Sequence, residues 1–190
     1  TMTIKIDLNC DMGENIGNDE DIMPYITSAN IACGYHAGDE TSMHETVRLA
    51  KRYGVAVGAH PSWRDLGGCG GREMSLLPVK RISVDLVLVG LAGSALVEAG
   101  LEVGLRVANE GFPDRNYNPD GTLVSRKESH AIIELPEEIA HHAVELVENG
   151  IDFGGRRVRV DTLCLHGDHP RATENARLVR ETLRRFGGEI

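Results

Sequence analysis

No C-x-x-C pair or other metal-type spacing occurs among the four cysteines, Cys10, Cys33, Cys69 and Cys164. That speaks against a zinc knuckle or a disulfide framework. No stretch approaches the roughly 18 consecutive apolar residues of a membrane-spanning helix, and the sequence runs straight into strand-like residues without a signal-peptide pattern. Together these absences predict a reducing, cytoplasmic setting and no membrane partner. Cations are in short supply, with 20 Lys and Arg against 29 Asp and Glu and a formal net charge of -9. Nucleic-acid and anionic-membrane surfaces need clustered cations to displace counterions, so no nucleic acid is expected either. The basic residues that do cluster, Arg156, Arg157 and Arg159 and then Arg180, Arg184 and Arg185, alternate with apolar positions. They read as solvated faces or as contacts of a homo-oligomer. No H-E-x-x-H and no phosphate-binding G-x-x-x-x-G-K-[ST] string is present.

What is present is an alternation of strand-like and helix-like segments over 190 residues, enough for one domain spanning 1–190 with a real core. Ile4, Ile6 and Leu8 alternate with polar residues and predict a strand over 3–9; Thr27 to Cys33 and Val55 to Ala59 predict two more, the latter buried. Asp19 to Tyr25 reads as a short helix. Asp39 caps a longer helix carrying Met43, Val47 and Ala50 and stopped by Gly54. Leu86 to Leu91 is a continuous apolar strand, Ser94 to Gly100 a short helix, and Leu105 to Ala108 a further strand. Asn109 to Glu134 is long and irregular, the kind of loop that is functional or disordered. Pro136 opens a helix closed by Gly150, Thr162 to Leu165 is strand material, and a terminal helix aligns Ala172, Ala176, Val179, Leu183 and Phe186. Strand and helix in alternation call for a parallel sheet covered by helices, open or closed into a barrel.

Four polar strings punctuate the predicted strand ends. Asp7, Asn9, Asp11 and Glu14 crowd the end of the first strand, where Asp7, Asn9 and Asp11 share one face. His36 sits between glycines that let backbone approach a ligand closely, and Asp39 combines a helix cap with an anion-receptive helix start. His60 precedes Pro61 and is displayed at a strand end, as is His166 ahead of Gly167 and Asp168. The glycine-rich run 67–72 offers Arg72 as a charge for phosphate. The candidate catalytic residues are therefore Asp7, Asn9, His36, His60 and His166. Asp11, Glu14, Asp39, Arg72 and Asp168 are candidates for holding substrate or nucleotide. His44, His141, His142 and His169 fall on helices or at a cap and read as surface residues, and Asp168 as largely a cap.

At these residues the chain resembles the LamB/YcsF family. The resemblance rests on Asp7-Leu-Asn-Cys-Asp-Met-Gly-Glu14, Thr27-Ser-Ala-Asn-Ile-Ala-Cys-Gly-Tyr-His-Ala-Gly-Asp39, Gly58-Ala-His-Pro61, Val89-Gly-Leu-Ala-Gly-Ser94, Phe112-Pro-Asp-Arg-Asn-Tyr117, Asp120-Gly-Thr-Leu-Val124 and His166-Gly-Asp168. It implies a distorted (β/α) barrel of about seven parallel strands, akin to the polysaccharide-deacetylase-like barrels. It further implies ATP-dependent opening of the 5-oxoproline lactam to L-glutamate, with ATP carried as its Mg complex and with partner subunits B and C of a multi-subunit 5-oxoprolinase. A lactam is a poor electrophile, so the implied route has ATP phosphorylate the carbonyl oxygen before water attacks; a His base and carboxylates suit that chemistry. One departure is visible. The family carries a Lys-Pro-His-Gly-Ala-Leu-Tyr-Asn segment before the strand near Leu86, whereas here Lys80-Arg-Ile-Ser-Val-Asp85 leads directly into it. A strand-helix segment is thus expected to be missing between about 80 and 88. Two other readings stay open: a metal-dependent deacetylase of a carbohydrate-like substrate, with Asp7, His36, His60 and His166 around a bound divalent metal, and a non-catalytic scaffold subunit.

Overall fold

The computed structural model describes residues 4–61 and 87–190. Six strands, β1 (Asp7–Met12), β2 (Ser28–Ala32), β3 (Ala56–His60), β4 (Val87–Leu91), β5 (Arg106–Gly111) and β6 (Thr162–His166), form one sheet in the order β3-β2-β1-β6-β5-β4. Every neighbouring pair is parallel. This order is the cyclic strand order of a barrel broken once, between β3 and β4, so the sheet curls as a distorted (β/α) barrel with six strands among the described residues. Two short ribbons lie outside it, Ile4–Lys5 with Gly188–Glu189 and Ile151–Phe153 with Arg156–Val158.

The helices follow the same logic. After the short α1 (Asp19–Ile22) come α2 (Glu40–Tyr53), α3 (Ala95–Glu102), α4 (Pro136–Asn149) and α5 (Ala172–Phe186). Asp39 caps α2 with a reciprocal box, its carboxylate accepting from the Ser42 backbone and Ser42 Oγ accepting from the Asp39 N–H, and Gly54 ends the helix in the left-handed region at φ 70°. The buried face of α2 is Ser42, Thr46 and Ala50. Val47, expected on that face, is exposed, because a face formed by Ser42, Thr46 and Ala50 turns the residue after Thr46 about 100° away from it.

The expected end of the first strand is corrected. Its alternation runs on through Met12: Leu8, Cys10 and Met12 are buried under the helices with Ile31, Leu163 and Leu165, while Asp7, Asn9 and Asp11 take the opposite face. Period two simply continues through residues that read as turn formers. The segment expected as a buried strand over 55–59 is β3, and it exposes Val57 and Ala59, since among the described residues it pairs on one side only. No described helix is long and apolar enough to cross a membrane.

Candidate active site

The lumen face of the sheet is polar. Thr27 Oγ1, Ser28 Oγ and Thr162 Oγ1 all donate to the Asp7 carboxylate, at 2.6, 2.8 and 2.7 Å. Asn9 Nδ2 donates to Thr162 Oγ1 (2.6 Å) and to Glu110 Oε1 (3.1 Å), and Asn30 Nδ2 donates to Asn9 Oδ1 (2.9 Å) and Asp11 Oδ1 (3.3 Å). A TIM barrel fills this space with branched apolar side chains; here amides, hydroxyls and carboxylates span it. Burial, reinforced by the Asp11 charge, pushes the Glu110 carboxyl up to about 7, although the Asn9 hydrogen bond pulls the other way.

This ladder separates the candidate residues into two ends. Asp7 pairs with Thr162 at the start of β1 and β6, whereas Asp11 pairs with His166 at their carboxyl ends. At about 3.3 Å per residue, four residues of strand put Asp7 on the order of 13 Å from that end. The structure therefore does not bring Asp7 together with His36, His60 and His166, and the ligand set imagined for a deacetylase is not assembled. Asn9 lies between the two ends and bridges them.

At the carboxyl ends the residues converge. Glu14 follows β1, His36 follows β2, His60 ends β3 and His166 ends β6. His36 is buried, with its ring edge-on to that of His60 at a centroid distance of 4.5 Å. Its Nε2 stands 3.5 Å from Glu14 Oε1, and His60 Nε2 stands 3.6 Å from Asp11 Oδ2. Burial and the neighbouring His60 depress the His36 pKa, against the pull of Asp11, so this ring is held neutral. Burial and the Asp11 charge raise the Glu14 carboxyl above its ordinary range.

His166 is held by a residue that reading the sequence for strand ends and His or carboxylate clusters did not single out. Its backbone N–H (3.1 Å) and its Nδ1 (2.9 Å) both donate to Asp114 Oδ2, and Phe112 stacks on the ring at 5.5 Å. Burial alone would lower the His166 pKa, but the charge and hydrogen bonds of Asp114 outweigh it and the pKa is raised. Burial likewise works to raise Asp114, and His166 overcomes it and holds the carboxyl below its usual range. Both shifts favour an imidazolium paired with a carboxylate. With Nδ1 committed to Asp114, proton transfer falls to Nε2.

The segment that presents Asp114 is the long irregular stretch after β5, and it is pinned, not loose. The buried Arg115 donates to the carbonyls of Val124 (2.8 Å) and Ala131 (3.2 Å), and the Asp114 carbonyl accepts from the Ile133 N–H. His169, expected at the surface, is buried and its Nε2 meets the Ile133 carbonyl at 3.0 Å. His142 makes the corresponding contact with the Pro113 carbonyl at 2.9 Å. Asp168 is not a cap: Arg171 precedes the first residue of α5, and Asp168 lies exposed at the rim facing Arg126 at 3.4 Å. Asp114, Arg126, His166 and Asp168 line one small cleft. Asp39 is committed to capping α2, with Asn15 Nδ2 on its second oxygen at 3.2 Å. Arg72 and the glycine-rich run 67–72 lie outside the described residues.

Acid and base groups gathered at the carboxyl ends of parallel strands are the layout of an α/β-barrel enzyme site. The profile of the LamB/YcsF family matches residues 6–80 and 76–190, and the chain belongs to that family. It is similar to proteins named as the A subunit of 5-oxoprolinase. The one from Pyrococcus furiosus is 39% identical over 247 aligned positions, covering 98% of this chain and 97% of the relative. The one from Symbiobacterium thermophilum is 41% identical, with 98% and 94% covered. A crystal structure described as the lactam utilization protein from Thermus thermophilus superposes with a TM-score of 0.83 at 35% identity, covering 98% of this chain and 99% of that one. The 247 aligned positions exceed the 190 residues of this chain, so at least 57 of them are filled only in the Pyrococcus furiosus relative.

Proposed function

We propose that this chain is the A subunit of a 5-oxoprolinase and opens the lactam of 5-oxoproline to L-glutamate at the expense of ATP, together with B and C subunits in the cytoplasm. The similarity over nearly the whole chain to relatives bearing that name carries the reading. The site supplies fitting chemistry. Cleaving a lactam C–N bond leaves a nitrogen that must be protonated as it departs, and His166, aimed by Asp114, has the raised pKa that favours the proton-carrying imidazolium. General acid catalysis of this kind contributes roughly 10²- to 10⁴-fold. Across Asp11, the Glu14, His36 and His60 cluster offers acceptors that hold and orient the attacking water. Arg126, half-exposed at the rim of the His166 cleft, meets the substrate carboxylate. Phosphorylation of the carbonyl oxygen by Mg-ATP converts the unreactive lactam into an electrophile before water adds.

The test is turnover. The chain is assayed alone and with candidate B and C subunits for glutamate and ADP formed from 5-oxoproline and ATP. Stoichiometric glutamate and ADP, lost in His166→Ala, is the expected result. An assembled complex that hydrolyses ATP without forming glutamate, or forms glutamate equally well without this chain, overturns the reading and leaves a scaffold role.

A further inference from the structure

We propose that Glu14, His36 and His60 form a binding site for one divalent transition-metal ion such as zinc. Their donor atoms, one from each side chain, all lie within 4.8 Å of one another. Two imidazoles and a carboxylate are a donor set that selects zinc and its neighbours over magnesium or calcium, which take oxygen. Three protein ligands also leave a fourth position for water or substrate.

The independent observation is His36. The ring is 3% exposed, yet neither Nδ1 nor Nε2 has a hydrogen-bond partner. Orphaned buried polar atoms are costly, and a native fold retains them where something else satisfies them. Glu14 Oε1 is 3.5 Å from Nε2 and makes no hydrogen bond with it. That separation suits two ligands on one tetrahedral ion, since bonds of about 2.0–2.1 Å place neighbouring ligands roughly 3.4 Å apart. The His36 and His60 rings meet edge-on, at 79° and 4.5 Å between centroids, not stacked face to face. Asp11, itself held by Asn30, stands 3.6 Å from His60 Nε2, a carboxylate neighbour of the kind that supports a metal-binding histidine.

The ion would stand on the β1–β3 side of His166, where the proposed reaction places its water. The inference rests on that reading only for this placement. The test therefore uses no substrate. The full chain is stripped with chelator and titrated with Co²⁺, followed by the visible absorption of the bound ion and by calorimetry. One equivalent with the intense bands of a four-coordinate site, displaced by one equivalent of Zn²⁺, is expected. Glu14→Gln and His60→Ala are each expected to weaken binding by at least about 100-fold, more than the loss of an outer-shell partner brings. His141→Ala, on the exposed face of α4, leaves it unchanged. Circular dichroism checks the fold, and His60→Ala, at a partly exposed position, decides the matter should Glu14→Gln misfold. Absence of a stoichiometric site, or equal affinity in both variants, overturns the proposal. Failure here leaves the lactam reading standing, and failure of turnover leaves the ion site standing.

Discussion

At His166 two effects oppose each other, and their balance decides what the residue can do. Burial favours the neutral ring, while Asp114, through its charge and hydrogen bonds, favours the imidazolium and prevails. A general acid must carry its proton at the working pH. The folded pKa is raised, so the active protonated form is complete at low pH and is lost as pH rises through that raised value. Asp114→Asn keeps a hydrogen-bond acceptor and removes the charge, leaving burial to act alone. The alkaline limb of kcat should then move to lower pH, and kcat at neutral pH should fall roughly 10²- to 10⁴-fold. Profiles of kcat against pH for the two proteins check this; coincident alkaline limbs would mean that Asp114 only holds the loop.

Among the elements, the loop between β2 and α2 bears the closest geometric demand. Gly38 has a φ of 70°, and a Cβ there would run into the carbonyl oxygen of Gly13. This close approach seats the His36 loop directly on the turn that carries Glu14. Gly38→Ala combines an unfavourable φ with a backbone clash that no side chain can relieve. It is expected to lower Tm by several degrees and to abolish turnover, whereas Ala at Asp39 loosens the α2 cap, costs a smaller shift in Tm and spares turnover. Thermal denaturation and the glutamate assay separate the two; a Gly38→Ala protein as stable and active as its parent would refute the packing argument. The α2 boundaries were legible in the sequence because a cap and a stop glycine are local chemistry. The length of β1 was hidden because Asp11 and Gly13 look like turn residues, and only pairing with β6 as far as Asp11 and with β2 as far as Met12 keeps the chain extended. Asp114 was hidden for a related reason. It lies in a loop without periodicity, and its value comes from a partner 52 residues away; the string Phe112-Pro-Asp-Arg-Asn-Tyr117 was its one local sign. His169 looked like a surface cap because nothing near it in sequence shows the Ile133 carbonyl that buries it.

For the molecule as a whole, the break in the strand order carries the consequence. Among the described residues, β3 and β4 each pair on one side, and Val57, Val87 and Val89 on them are exposed. A barrel exists to remove such edges, which otherwise present backbone donors and acceptors to any other strand. The two stretches matched by the family profile meet at residues 76–80, between these strands, and the Pyrococcus furiosus relative fills at least 57 aligned positions that this chain does not. We propose that the relative's extra residues close the seam from β3 to β4. Inserting that segment between Lys80 and Leu86 should bury the three valines, each worth about 1 kcal/mol from its half-exposed state. For a chain of this size such a gain raises Tm on the order of 5–10 °C. Closing the edges should also abolish concentration-dependent self-association of the parent chain, which the open strands and the expectation of a homo-oligomer both anticipate. Differential scanning calorimetry and sedimentation velocity over a concentration series check the pair of outcomes. An insertion variant no more stable than its parent, with the same sedimentation behaviour, would show that β3 and β4 are already satisfied and that the missing positions belong elsewhere in the fold.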